Sequence, residues 1–224
     1  NSDISIKTSS EAKMYFIRTA NWKETFNGTD GILLRKAICY ALNRTEMVKG
    51  AFNGYALPAI DSMGFSLRRP DVPECCGKGY DYDIVKAKQL LDEAGWKDTD
   101  GDGVLDKNGK SLKDLDLVIT SASGLAWQKD LALVVQSQLK NIGIDVKIQT
   151  LDSSAYRKAM NDGEFDLGMT YNIGRGNSLS LELNKFNLKK QGAKTNLCDD
   201  QNGTLVTIKE KANKTTNKEE RDKY

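Results

Sequence analysis

The 224-residue sequence contains no histidine. That absence removes every Ser-His-Asp or Cys-His catalytic device, and every histidine-ligated zinc or nickel site, from this chain. Cysteine is sparse: Cys39, Cys75, Cys76 and Cys198 show no C-x-x-C spacing, so a zinc or thioredoxin-like reading has no support. No apolar run approaches the length that spans a bilayer. Neither a nucleophile elbow nor a phosphate-binding glycine loop is present, which leaves an enzymatic reading without a motif. The 33 basic and 31 acidic residues interleave to a net charge of +2 with no dense basic patch, so nucleic acid is not the expected partner. No signal peptide opens the chain either, and its start on Asn1 and Ser2 reads as mid-domain, with a fragment of a longer protein as the expectation.

What is there is a core-forming chain, 39% hydrophobic. Residues 4–6 and 14–20 read as strands around a polar turn, with Asn21 and Trp22 following the second. Leu33, Leu34, Ala37, Ile38 and Ala41 stripe a helix over 30–42, which Asn43 ends before a further turn or two of helix. Residues 61–80 hold Pro70, Pro73, Gly77 and Gly79 without periodicity and read as a long irregular loop of the functional or ligand-covering kind. Asp83 is placed to cap a helix striped by Ile84, Ala87, Leu91 and Ala94, and Gly95 sits where a left-handed ending would fold Trp96 back onto Leu91. Next, strands at 115–120, 144–148 and 165–171 alternate with a helix striped by Leu131, Val134, Val135, Leu139 and Ile142 and one capped by Ser153 and ended by Gly163. Such a β-α-β-α-β core over 115–171 predicts parallel strands with helices packed on the sheet.

In open α/β sheets ligands bind beyond the carboxyl ends of the strands. Those ends are Ser121-Ala122-Ser123-Gly124, Thr150-Leu151-Asp152 and Asn172-Ile173-Gly174-Arg175-Gly176. Ser121, Ser123, Tyr171, Asn172 and Arg175 are the candidate ligand contacts there, and Asn21 and Trp22 complete the set. The competing reading is ordinary Ser- and Gly-rich turns. Arg175 carries the sharpest chemistry, since its guanidinium is a rigid fork matched to a carboxylate.

Between the third helix and the strand at 115–120 lies an acidic turn. Asp98, Asp100, Asp102, Gly103 and Asp106 fill positions 1, 3, 5, 6 and 9 of an EF-hand-type loop, so a structural calcium is one reading. Position 12 is Gly109 in place of the bidentate glutamate, and a strand replaces the downstream helix. The reading favoured is a solvated turn whose aspartates cap local amides.

Three phrases in order carry a family resemblance: "LLRKAICYALNRTEMVKGAFNGYALPA", "YDIVKAKQLLDEAGWKDTDGDGVLDKNGKSLKDLDLVI" and "LVVQSQLKNIGIDVKIQTLDSSAYRKAMNDGEFDLGMTY". Together they resemble the extracellular solute-binding proteins of ABC importers, in the peptide/opine/nickel-binding family, over most of residues 14–171. The resemblance implies an α/β, periplasmic-binding-protein-like lobe with a mainly parallel sheet flanked by helices. On it, residues 1–224 are a single C-terminal lobe of a two-lobed receptor, without the N-terminal lobe or the final strands, although 203–224 suits the family's next helix. It also implies a non-enzymatic binding component without a cofactor, lying outside the cell or in the periplasm and held as a lipoprotein. Such a component captures a peptide, nickel complex or related solute and docks on a membrane permease.

One place departs from the peptide-binding pattern. Those members resemble "W-x-x-D-Y-x-D-P" after the last strand, where an aspartate receives the peptide ammonium, whereas residues 172–179 here hold no acid and bring in Arg175. That puts ordinary capture of a peptide amino terminus in doubt and keeps a metal-chelate solute open. An extracellular setting would let Cys198 pair with Cys75 or Cys76, contributing roughly 4–5 kcal/mol by chain entropy, while free thiols remain the other reading. The alternative function is a calcium-bearing structural or adhesion module resting on the acidic turn alone.

Overall fold

The computed structural model describes residues 13–59 and 79–173, with isolated positions near the carboxyl terminus. The strand at 4–6, nearly all of the loop at 61–80, Cys75, Cys76, Cys198 and Arg175 lie outside the described residues. Of the helix expected over 203–224, the described positions Thr207, Glu210, Lys211 and Lys214 are helical, whereas Thr215 and Asn217 are not.

Strand β1 (Lys13–Thr19) is built on Tyr15, Phe16 and Ile17, side chains that suit a pleated surface. Helix α1 (Gly28–Ala41) starts two residues earlier than the stripe suggests, because the Asn27 side chain accepts from the Gly28 amide at 2.7 Å. Asn43 does not merely end that helix. It caps α2 (Arg44–Phe52), accepting from the Glu46 amide at 3.2 Å.

Helix α3 (Ile84–Glu93) follows its sequence signals. Asp83 accepts from the Lys86 amide at 2.8 Å, and Gly95 takes a left-handed φ of 83°. The Trp96 amide then reaches back to Leu91 and the Gly95 amide to Asp92, both at 2.9 Å, which is the paired hydrogen bonding of a Schellman ending. Beyond the acidic turn stands a hairpin that the sequence reading passed over, β2 (Asp106–Lys107) and β3 (Lys110–Ser111). Its two-residue loop is Asn108-Gly109, at φ 50° and 75°, the pair that a two-residue hairpin turn demands. The Lys107 ammonium reaches the Ala94 carbonyl and Asp30, fastening this hairpin to the end of α3 and the start of α1.

Strand β4 (Leu115–Thr120) runs centrally, with all but Asp116 buried, as expected of a strand covered on both faces. Helix α4 (Trp127–Lys140), β5 (Val146–Leu151), α5 (Ser153–Asp162) and β6 (Leu167–Ile173) complete the order. Asp152, and not Ser153, is the cap of α5; its carboxylate accepts from the Ser154 and Ala155 amides at 2.8 and 3.0 Å. The four-stranded sheet is ordered β1-β6-β4-β5. β4 is parallel to both β5 and β6, as the crossovers require, and β1 lies antiparallel along β6 from Thr19 opposite Leu167 to Lys13 opposite Ile173. The fold is thus α/β, with a mainly parallel sheet flanked by helices. No helix among the described residues is long and apolar enough to cross a membrane.

Candidate functional site

The parallel strands deliver three carboxyl ends to one edge of the sheet, and the hydrogen bonds there leave groups facing outward. The Ser121 amide donates to the Leu151 carbonyl at 2.8 Å, holding β4 and β5 together to their tips, and its exposed hydroxyl donates to the same carbonyl at 3.2 Å. Ser123 is exposed in the adjoining loop. Behind that loop Thr120 is buried; its amide donates to the Gln128 side-chain oxygen at 2.9 Å, and its hydroxyl accepts from the Ala122 amide at 3.1 Å. Gln128 is fully buried yet leaves its amide nitrogen without a partner.

Tyr171 stands near the tip of β6 with Tyr15 of β1 as its direct strand partner, their rings 6.2 Å apart. Asn172, opposite Met14, continues β6 to the same tip. Ser121, Ser123, Tyr171 and Asn172 therefore share the carboxyl edge, as the sequence reading places them.

Asn21 and Trp22 are at the other end. Because β1 is antiparallel to β6, the residues just after β1 lie where β6 begins: the Ala20 amide donates to the Asp166 carbonyl at 2.9 Å. Trp22 packs edge-on to Phe165 at 5.4 Å, and the Asn21 side-chain oxygen accepts from the Thr19 hydroxyl at 2.6 Å. Tyr171 and Asn172 stand five and six residue steps beyond Asp166, a separation of about 16–20 Å from this group. The two sets do not form one site.

At the carboxyl edge the fold also gathers residues that the sequence reading left out. Trp127, the first residue of α4, meets Tyr15 of β1 at 4.2 Å between ring centroids. Phe52, the last residue of α2, stacks on both, 5.3 Å from each. No local pattern announces this cluster, since its members come from separate elements. Beneath the edge, the Tyr156 hydroxyl donates to the Met169 carbonyl at 2.7 Å, and burial above all holds its phenol above the usual range.

The acidic turn is exposed. Ligand oxygens of Asp98, Asp100 and Asp102 lie within 4.8 Å of one another. Asp106 stands apart in β2, accepting from the Thr99 hydroxyl at 3.1 Å. The Asp98 carboxylate accepts from the Gly101 and Gly103 amides, Asp100 from that of Asp102, and Asp102 from Val104 and the Lys113 ammonium at 2.8 Å each. The Lys113 hydrogen bond, then the Val104 amide, lowers the Asp102 pKa. A turn whose aspartates cap their own backbone amides, one of them also paired with a lysine, is the solvated reading.

The family model described as "Bacterial extracellular solute-binding proteins, family 5 Middle" matches residues 1–193. The chain belongs to that family, one of solute-binding proteins and not of enzymes. Among curated proteins it is 40% identical to the oligopeptide-binding protein AppA of Bacillus subtilis over 137 residues, 59% of this chain and 24% of that protein. It is 30% identical to the nickel-binding periplasmic protein of Escherichia coli over 141 residues, 62% of this chain and 25% of that protein. Over 124 residues, 55% of this chain and 20% of its own length, the glutathione-binding protein GsiB of the same species is 31% identical. The structure of Bacillus subtilis AppA in complex with a nonapeptide superposes with a TM-score of 0.80 at 27% identity, covering 96% of this chain and 41% of that one. NikA of Brucella suis, in complex with Fe(III)-EDTA, shares the fold at a TM-score of 0.77 and 22% identity, covering 96% of this chain and 42% of its own. The chain therefore spans about a quarter of the curated relatives it matches and about two fifths of these solved chains.

Proposed function

We propose that this chain is the C-terminal lobe of a two-lobed substrate-binding component of an ABC importer, which captures a small solute outside the cell and delivers it to a membrane permease. The observation that supports this most is the carboxyl edge of β4, β5 and β6: exposed serine hydroxyls and half-buried rings at the position where α/β sheets take ligands, in a member of a solute-binding family. Ser121, Ser123, Tyr171 and Asn172 would face the solute, and Arg175, just past the tip of β6 in sequence, would receive an acidic group of it. Asn21 and Trp22 would serve the opposite end of the sheet as packing groups. The complete protein would act from the periplasmic or outer side of the membrane, held as a lipoprotein, with no catalytic role. A peptide, given the likeness to AppA, or a metal complex, given the likeness to the nickel-binding protein, is the solute class this reading favours.

A cleft between two lobes divides the ligand contacts, so one lobe holds only part of them and cannot close. Calorimetry tests this. The complete protein should bind its solute at least about a hundredfold more tightly than residues 1–224 alone, the equivalent of about two well-made polar contacts. Equal affinity of the two would contradict the division of the site. In the complete protein, Arg175→Ala should weaken binding by about 1.5–3 kcal/mol, the range for a charge-assisted hydrogen bond, and unchanged affinity would remove Arg175 from the site.

A further inference from the structure

We propose that the rings of Tyr15, Phe52, Trp127 and Tyr171 form a subsite for an apolar side chain of the solute, an inference that rests on the receptor reading above. Four separate elements, β1, the end of α2, the start of α4 and β6, each send one ring to the carboxyl edge. Phe52 and Trp127 pack one side against the core, yet all four rings stay half-buried, unlike Phe26 and Phe165 at 0% exposure. The rings pack on one another as a single cluster: Phe52 stacks at 24° and 30° on Tyr15 and Trp127, and Tyr15 tilts at 59° to Tyr171. Just after Phe52 the chain exposes Tyr55 and Leu57 at 87% and 86%, with the Tyr55 amide tied to the Phe52 carbonyl at 2.8 Å. Apolar surface of this extent at a ligand-bearing edge marks a contact site.

Charge selects among the occupants that aromatic faces accept. Such faces attract either apolar groups or cations. The Lys13 ammonium stands 5.9 Å from the centroid of Tyr171, so a cationic group entering here would meet a like charge. A compact, strongly hydrated chelate gains little from ring faces. An aliphatic or aromatic side chain gains most, with the exposed hydroxyls of Ser121 and Ser123 beside it for polar parts of the same solute.

The test uses the tryptophan indole signals of the 224-residue chain in NMR, titrated separately with N-acetyl-phenylalaninamide, N-acetyl-leucinamide, N-acetyl-lysinamide and N-acetyl-serinamide. Trp127 should shift saturably with the first two, about tenfold more weakly with the others, while Trp96 in the core and Trp22 at the opposite edge stay in place. Phe52→Leu, which keeps an apolar group and the fold, should weaken the phenylalanine probe several-fold with Trp96 unmoved. No shift of Trp127, or equal shifts with all four probes, overturns the subsite. In the complete protein the two levels separate. Peptide affinity unaffected by Trp127→Leu overturns the subsite and leaves the receptor intact, whereas a complete protein that binds neither peptides nor metal chelates overturns the receptor reading itself.

Discussion

The smallest groups decide where elements begin and how closely they approach. Gly31 shows the second point: a Cβ there would overlap the backbone of Phe26, so the first turn of α1 packs onto the preceding turn only because no side chain intervenes. Gly31→Ala should cost about 1–3 kcal/mol by overpacking, measured as a lower denaturation midpoint at unchanged slope. An unchanged midpoint would mean that the turn is free to move. Asp152 shows the first point. Hydrogen bonds from the Ala155 amide, then the Ser154 amide, hold its carboxyl below the usual range. A carboxyl lowered on folding stabilises above its unfolded pKa, and that contribution is lost as pH falls through the folded value. Asparagine caps comparably without titrating. The stability advantage of the native protein over Asp152→Asn should therefore shrink as the pH drops below the carboxylate range, and a gap independent of pH would contradict the assignment. At this scale the sequence was legible wherever one residue had no rival, as at Asp83 and Gly95. It misled where two capping residues stood side by side, since Asp152 and Ser153 differ only in which one reaches the free amides.

Among elements, periodicity revealed the strands and helices that bury a face, and crossover geometry made β4, β5 and β6 parallel. Two things escaped it. The β2-β3 hairpin is too short to show alternation, although Asn108-Gly109 announced its turn. The aromatic cluster joins residues as distant in sequence as Tyr15 and Trp127, and only assembly brings them within 4.2 Å. Gln128 was equally hidden, a polar residue in a core position because its oxygen satisfies the buried Thr120 amide. The acidic turn carries a prediction of its own. With Gly109 in place of a bidentate glutamate and Asp102 paired with Lys113, the turn lacks a full ligand set, so millimolar calcium should leave the melting temperature where chelator leaves it. A calcium-dependent rise of several degrees in differential scanning fluorimetry would show that the ion binds tightly enough to stabilise.

For the molecule as a whole, the antiparallel placement of β1 matters most, because it sorts the candidate residues to two ends about 16–20 Å apart. Alternation in sequence gives strand faces and not the direction of a neighbour, so Asn21 and Trp22 could not be parted from Tyr171 before the register was known. The family was legible from three ordered phrases. The most direct measurement is hydrogen–deuterium exchange on the complete protein, solute-loaded as purified and after stripping. Solute should protect the amides of residues 121–127 and 171–173, at the carboxyl edge, and leave those of 21–23 and 114–116 at the opposite edge unchanged. Protection confined to the opposite edge, or none at either, would contradict a solute site on the carboxyl ends of the parallel strands.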